Sequence, residues 1–555
     1  MDTVYSRPTE GADYWHGCGE KESGNQMRDS KKVIDGQYYT SAEVCNFMVG
    51  LSTKDPTNSR VLETGCGEGA FIDALLKSDY KDIVACDIDE ENIIQNRLKF
   101  GNKAEFRHEN LLETNLDEKF DLIPGNPPYV QWNNIRPEIR DMLSSDKFWK
   151  QYSNGEWDLL YAFIIWSIEK LRDGGELIYI VPYNWFTSTH GKSLRNYLID
   201  NGRFDIICYF SEFKLFKDCY PNNIVFKYTK TDDKAHDILV SRYMDRDGNV
   251  SEIIEAIEAG FEAVGDGPYE NDDHSHRIFT MPQFQKDETW YLATPSEMEE
   301  IASLERTTCG QVVGDHLDVG VGIVSGYDKA FLLTDDEASN LSAKEKKYVF
   351  PFIKAKNCNQ YEIAGHTSYI FVDSIKNETE LKSLPNIYER LNMHKGRLEE
   401  RYGVGKKNWW EWATIRNMDL FQENLDKPKI FVPCRDRSLH ARYSYTNQRV
   451  YGSGDALMIA KREDLREDLR YVLAWLNSKM INDWYFIKGS NSGHRILYTQ
   501  AYVSKVPLLL IDWDNEEHVA AHDAIVEEVQ LKLGGDASFS QSNLESRFRI
   551  IMNKT

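Results

Sequence analysis

Between Val33 and Thr229, short and almost wholly apolar runs alternate with stretches of helical spacing, and few folds accept that order. The apolar runs are RVLETG (60–65), DIVACDID (82–89), FDLIPG (120–125), ELIYIVP (176–182), DIICYF (205–210) and NIVFKY (223–228). Between them lie FIDALLKSD, ENIIQNRLKF and LLYAFIIWSIEKLRDGG, the last expected to stop as a helix at Gly174-Gly175. A strand that is apolar along its whole length is covered on both faces, and strand–helix alternation makes such strands parallel. The expected fold class is therefore α/β, a Rossmann-like, doubly wound, mostly parallel sheet.

The alternation is expected to end near residue 230, with TKTDDKAHD (229–237) as a linker and AVGDGPYENDDHSHR (263–277) as a polar loop. From about 278 to 510, short strands, aromatic clusters and scattered basic residues point to a second, α+β domain. The segment EEHVAAHDAIVEEVQLKL reads as an acidic helix. The expected division is an N-terminal arm (1–32), a first domain (33–240), a second domain (241–510) and a helical tail (511–555). The longest apolar stretches, LLYAFIIWSI and ELIYIVPYNWF, fall short of the ~18–20 residues that span a bilayer. The N-terminus lacks a basic segment followed by an apolar run, so no signal peptide, no membrane partner and a cytoplasmic location are expected. The nine cysteines include no CxxC pair, which suits small buried thiols and no metal site. Net charge is −23, yet residues 344–450 carry 20 Lys and Arg against 13 Asp and Glu. One basic face on an acidic protein and an ordinary solvated surface both fit that asymmetry.

RVLETGCGEGAFIDALL (60–76) reads as a strand, a glycine turn and a helix. Gly65, Gly67 and Gly69 allow a tight turn and close approach by a ligand. The strand ends in an acid, Glu63, which repels a phosphate and welcomes an ammonium group. That favours an amino-acid-bearing nucleoside such as S-adenosylmethionine over a dinucleotide. Asp87, at the end of the next strand, stands where a carboxylate accepts hydrogen bonds from ribose hydroxyls. Asp89 reads as a structural residue.

FDLIPGNPPYVQW (120–132) places Asn126-Pro127-Pro128-Tyr129 just after a strand, where ligands bind in doubly wound sheets. Two prolines stiffen the turn and remove two N–H donors. An exocyclic amino group on an aromatic ring is a poor nucleophile because its lone pair is delocalised. The Asn126 side-chain oxygen and the Pro127 carbonyl can accept its two hydrogens and favour a pyramidal nitrogen. Tyr129 can stack on the ring.

Together these motifs resemble the TaqI-like, gamma-class DNA adenine N6-methyltransferases, and the resemblance covers essentially the whole chain. It implies a class I methyltransferase domain followed by an α+β target-recognition domain on double-stranded DNA. GQYYTSAEVCNFMV (36–49) resembles the family's first motif, which implies Thr40 at the cofactor carboxylate and Tyr38 and Tyr39 in the pocket. ETGCGEGAF and VACDID match the cofactor segments. The resemblance implies Glu63 at the methionine amino group and Asp87 at the ribose, with Gly65, Cys66, Gly67, Ile88, Leu111, Asn126 and Pro128 around the cofactor. HENLLE (108–113) puts Asn110 where the family usually has an Asp at the adenine amino group. LFKDCYPNNIVFKY (215–228) implies Phe216 against the target base, with Phe210 and Phe213 as neighbouring alternatives.

In the second half, Lys354, Lys356, Lys406, Lys407, Arg435, Arg437 and Arg442 are the expected DNA contacts. Trp409, Trp410 and Trp412 read as core. The implied reaction moves a methyl group from S-adenosylmethionine to N6 of an adenine rotated out of the duplex. No cleavage domain is expected; a monomer is, with or without a separate restriction endonuclease. Two alternatives stay open: methylation of cytosine N4, RNA adenine or protein glutamine, and a catalytically silent DNA-binding module.

Overall fold

A computed structural model describes residues 40–553 apart from 114–116, 153–156, 212, 214, 216–221, 246, 266–268, 272–274, 402–406, 438–440 and 493–494. Two compact units divide the chain. The first comprises the residues up to Val181 together with Ser193–Asn201, and the second comprises Pro182–Lys192 and everything from Gly202 onward.

In the first unit, α1 (Ala42–Gly50) precedes β1 (Arg60–Glu63), α2 (Ala70–Lys77), β2 (Asp82–Asp87), α3 (Glu90–Phe100) and β3 (Glu105–His108). There follow β4 (Phe120–Gly125), α4 (Leu159–Lys170, with short helices before it) and β5 (Leu171–Pro182). The strands stand in the order β3-β2-β1-β4-β5, all parallel. Val61, Leu62, Ile83, Val84, Leu122, Ile123, Leu177 and Ile178 are almost wholly buried, as continuous apolar runs require. The strand order reverses direction between β1 and β4. In a doubly wound sheet that reversal opens a crevice outside the strand C-termini. Glu63 ends β1 and Gly125 ends β4, so both flank it.

Helix starts follow local chemistry. Asp89 caps α3 by accepting the Glu91 N–H at 3.0 Å, the structural role expected of it. Asp158 caps α4, whose residues Leu160–Ile168 are all buried. A helix that is apolar all round belongs in a core.

Two local expectations differ from the structure. Helix α4 stops at Lys170, not at Gly174-Gly175, because Leu171 turns extended and pairs with Phe120. The glycines instead sit in β5, where the register against β4 slips between Phe120 and Leu122. Gly174 has φ +75°, and a Cβ on Gly175 would lie 2.9 Å from the Arg172 carbonyl. They make a bulge where a helix stop was expected. Nor does the strand pattern end near 230. In the second unit β6 (Gly202–Tyr209) and β7 (Asn223–Lys230) are followed by β8 (Ile238–Tyr243) and β9 (His276–Met281), ordered β7-β6-β8-β9.

The rest of the second unit holds two apolar cores. One gathers Tyr471, Val472, Trp475 and Phe548 with strands Leu317–Val321, Lys429–Pro433 and Ala456–Lys461. It includes α5 (Glu516–Leu533), the expected acidic helix. The other gathers Phe352, Tyr369, Trp409, Trp410 and Trp412, so the three tryptophans are core, as expected. Cys45, Cys66, Cys86, Cys208 and Cys358 are buried free thiols. No described helix is long and apolar enough to cross a membrane.

The entry to α2 depends on one glycine. Gly69 has φ +82°, and a Cβ there would fall 2.2 Å from Asn96 Oδ1 and 2.6 Å from Phe100. Gly69→Ala should therefore destabilise the protein by about 2–4 kcal/mol, adding left-handed strain to a packing clash. Urea denaturation checks this; an unchanged midpoint would show that the turn relaxes freely.

Candidate active site

The glycine turn is built from both sides. The Cys66 N–H donates to the Cys86 carbonyl at 2.9 Å, and the Gly69 N–H to the Cys66 carbonyl at 2.7 Å. From α3, the buried Asn96 donates through Nδ2 to the Gly67 carbonyl at 2.7 Å. Asp87 closes the other side. Its carboxylate accepts the N–H groups of Gly67 and Asp89, each at 2.8 Å, and Asn92 Nδ2 at 3.3 Å. Burial nevertheless pushes the Asp87 carboxyl above its ordinary range.

Glu63 is fully buried. One carboxyl oxygen accepts the Gly65 N–H at 3.3 Å; the other has no hydrogen-bond partner among the described residues. Burial raises this carboxyl well above the usual range, opposed by the Gly65 N–H and reinforced by the Asp87 charge. A buried acceptor without a donor is costly and rare. It fits a cationic ligand group such as the ammonium of S-adenosylmethionine. Neighbouring Thr64 is held by Tyr179, whose hydroxyl lies 3.0 Å from Thr64 Oγ1 and 2.7 Å from Ser167 Oγ.

The NPPY turn meets this loop directly. A Cβ on Gly125 would lie 3.2 Å from Glu63 Oε1, so β4 ends close against the acid. Next in the chain, Asn126 is oriented from both ends of its amide. Its Nδ2 donates to Thr40 Oγ1 at 3.1 Å, and its Oδ1 accepts the Tyr129 hydroxyl. The Tyr129 hydroxyl also faces the Ile180 carbonyl at 2.8 Å. Pro127 is buried; Pro128 and Tyr129 are partly exposed.

Thr40, Glu63, Gly65, Cys66, Gly67, Asp87 and Asn126–Tyr129 thus gather around the ends of β1, β2 and β4. Ile88 stands 47% exposed beyond Asp87, and Leu111 is buried. Asn110 Oδ1 accepts the Leu112 N–H at 3.3 Å, so this side chain also shapes its own turn. Tyr38, Tyr39, Phe216 and Lys406 lie outside the described residues. Of the basic residues, Lys354 pairs with Asp328 and donates to the Tyr369 hydroxyl at 2.9 Å. Lys407 donates to the Trp412 carbonyl at 3.1 Å, and Arg442 grips Asp436 and the Cys358 carbonyl. Lys356, Arg435 and Arg437 are exposed. Sequence reasoning missed Asn96 and Asn92. The usable signal for Asn96 was a polar residue in register with Ile93 and Phe100 on the buried face of α3.

Strand order and loop geometry define a class: a class I S-adenosylmethionine-dependent methyltransferase. Comparisons with known proteins narrow it. The description Eco57I restriction-modification methylase matches residues 40–216, and TaqI-like C-terminal specificity domain matches residues 350–508. The Type II methyltransferase M.HindII of Haemophilus influenzae is 30% identical over 526 residues, covering 91% of this chain and 95% of that protein. M.HincII, also of Haemophilus influenzae, is 30% identical over 510 residues with the same coverage. Among solved structures, the Type IIL restriction-modification enzyme MmeI in complex with DNA shares the fold, with a TM-score of 0.59 at 13% identity. That match covers 95% of this chain and 72% of that one. The chain belongs to the Type II DNA methyltransferases and carries a DNA specificity domain.

The raised Glu63 carboxyl has a consequence for stability. The folded chain holds this proton more tightly than the unfolded chain, whose glutamates titrate near about 4.3. Without cofactor, the Glu63 contribution therefore falls as pH rises above that value. Glu63→Gln removes the titration. Its Tm relative to wild type should climb as pH rises above about 4.3 in cofactor-free calorimetry. A difference independent of pH would contradict the assigned burial effect.

Proposed function

We propose that this methyltransferase is adenine-specific and acts on N6 of a base rotated out of duplex DNA. The observation that carries the reading is the two-point orientation of the Asn126 amide, by Thr40 and Tyr129, one residue from the Gly125–Glu63 contact. Acceptors held in this way match an amino group with two hydrogens to give.

In this reading Glu63 receives the cofactor's ammonium group, Asp87 its ribose hydroxyls, and Thr40 its carboxylate. Tyr38, Tyr39, Gly65, Cys66, Gly67, Ile88, Asn110, Leu111 and Pro128 complete the surround. Bound there, S-adenosylmethionine supplies an electrophilic methyl on a sulfonium leaving group. Asn126 Oδ1 and the Pro127 carbonyl accept the two N6 hydrogens and turn the nitrogen lone pair towards that methyl. Held by those acceptors, the nitrogen would form its new N–C bond as the S–C bond broke, the sulfur keeping the bonding pair. The surplus proton then leaves the nitrogen. Tyr129 and Phe216 stack on the base and offset part of the few kcal/mol spent on extrusion. Holding both reactants in line is the main source of acceleration.

The segment 33–240 acts as the catalytic domain and 241–510 as the recognition domain, with 511–555 as its helical tail. The exposed Lys356, Arg435 and Arg437 suit phosphate or guanine contacts. Lys354, Lys407 and Arg442 contribute through the folded contacts already described, and Lys406 belongs to the same basic set. The protein works as a cytoplasmic monomer, with any cognate endonuclease on a separate chain.

Asn126→Ala tests the central step. Methyl transfer to duplex DNA should fall at least about a hundredfold, while cofactor affinity changes little. Nucleoside digestion of DNA methylated by wild type should yield N6-methyladenine. N4-methylcytosine, or label only in RNA or protein, would overturn the adenine assignment; full activity of the variant would overturn the role of Asn126.

A further inference from the structure

From Leu177 to Val181 strand β5 is fully buried, and Tyr179 is its one residue there with a polar side-chain atom. Phe would fill such a place as well, and a buried hydroxyl is costly unless it is bonded. The Tyr179 hydroxyl is bonded on two sides. It lies 2.7 Å from Ser167 Oγ on α4 and 3.0 Å from Thr64 Oγ1 just past β1. Ser167 and Thr64 are buried too, so three hydroxyls run in a chain from a core helix to a strand end.

Thr64 stands where β1 leaves the sheet. The pairing of β1 with β2 runs to Glu63 and Ala85, and Thr64 is the next residue. On either side of it, Glu63 and Gly65 close on each other through the Gly65 N–H, 3.3 Å from Glu63 Oε1. The same tyrosine meets the neighbouring strand end. Gly125 pairs with Tyr179 in the β4–β5 register. A Cβ on Gly125 would lie 3.4 Å from the Tyr179 ring and 3.5 Å from Thr64 Oγ1. Tyr179 thus packs against the end of β4 while its hydroxyl holds the corner that follows β1.

We propose that Tyr179 is a positioning residue for the cofactor: its hydroxyl, steadied on α4 by Ser167, fixes Thr64 and with it the corner from which Glu63 and Gly65 face the ligand. The inference rests on the reading of Glu63 as the cofactor's ammonium site and adds to it a residue one step further from the ligand.

Binding of S-adenosylmethionine to the whole protein is measured by calorimetric titration, together with the cofactor-free Tm. Tyr179→Phe and Thr64→Val delete the same bond from its two ends, so either serves if the other folds poorly. Each should weaken binding about 3- to 10-fold, the worth of one hydrogen bond, and the double variant should bind no more weakly than the singles. Thr64→Ser keeps the hydroxyl and should restore binding to within about twofold of wild type. Ser167→Ala removes the other bond of Tyr179. It should lower Tm about as much as Tyr179→Phe yet leave affinity within about twofold. Unchanged affinity in Tyr179→Phe and Thr64→Val, additive losses in the double variant, no rescue by Thr64→Ser, or an equal loss of affinity in Ser167→Ala would overturn the proposal. Glu63→Gln is titrated alongside. If it binds as wild type does, the cofactor reading of the corner fails; if it binds weakly while Tyr179→Phe and Thr64→Val bind normally, only the role of Tyr179 fails.

Discussion

A carboxyl group buried at the end of β1, with one oxygen unmatched by any described donor, is the contact around which the first unit is organised. A carboxyl group in an apolar interior is costly to ionise, which is why burial raises this one. Everything near Glu63 accommodates it. Gly125 brings the end of β4 beside it, Gly65 turns an N–H back to it, and Thr64 is held by Tyr179. The reversal of strand order between β1 and β4 puts this acid and the NPPY turn at one crevice, which is where a doubly wound sheet offers a ligand site.

The turn that follows is unusual in how few backbone donors it has. Two prolines make it stiff, but they also remove the means by which most loops are tied down. The structure compensates with side chains. Thr40 and Tyr129 orient Asn126. Rigidity of this kind comes from supporting contacts as much as from the prolines themselves.

Much of the first unit was legible because its strands are buried on both faces and therefore read as unbroken apolar runs. Strand β3 was not, because EFRH carries one buried apolar residue in four. Gly174-Gly175 misled because glycine marks a helix end and a strand bulge equally well, and only the partner strand decides. Strands β8 and β9 are separated by α6 (Val250–Ala263) and a polar loop, so no local pattern links them. In the site, Glu63, Asp87 and Asn126 were visible because their chemistry and their place at strand ends coincide. Asn96 was not, because it acts on the Gly67 carbonyl of a distant segment, nor was Asn92, which reaches back from α3 to the Asp87 carboxylate. The basic set shows the same limit from the other side. Charge counts do not reveal that Lys354 and Arg442 are paired with Asp328 and Asp436.

The central physical claim is that burial raises the Glu63 carboxyl and that a bound cation lowers it again. Calorimetric titration of the protein with S-adenosylmethionine near neutral pH, repeated in buffers of different ionisation enthalpy, counts protons exchanged on binding. The account predicts net proton release that is lost in Glu63→Gln, together with weaker binding in that variant. Binding with no proton release, or with release and affinity unchanged by the substitution, would contradict it.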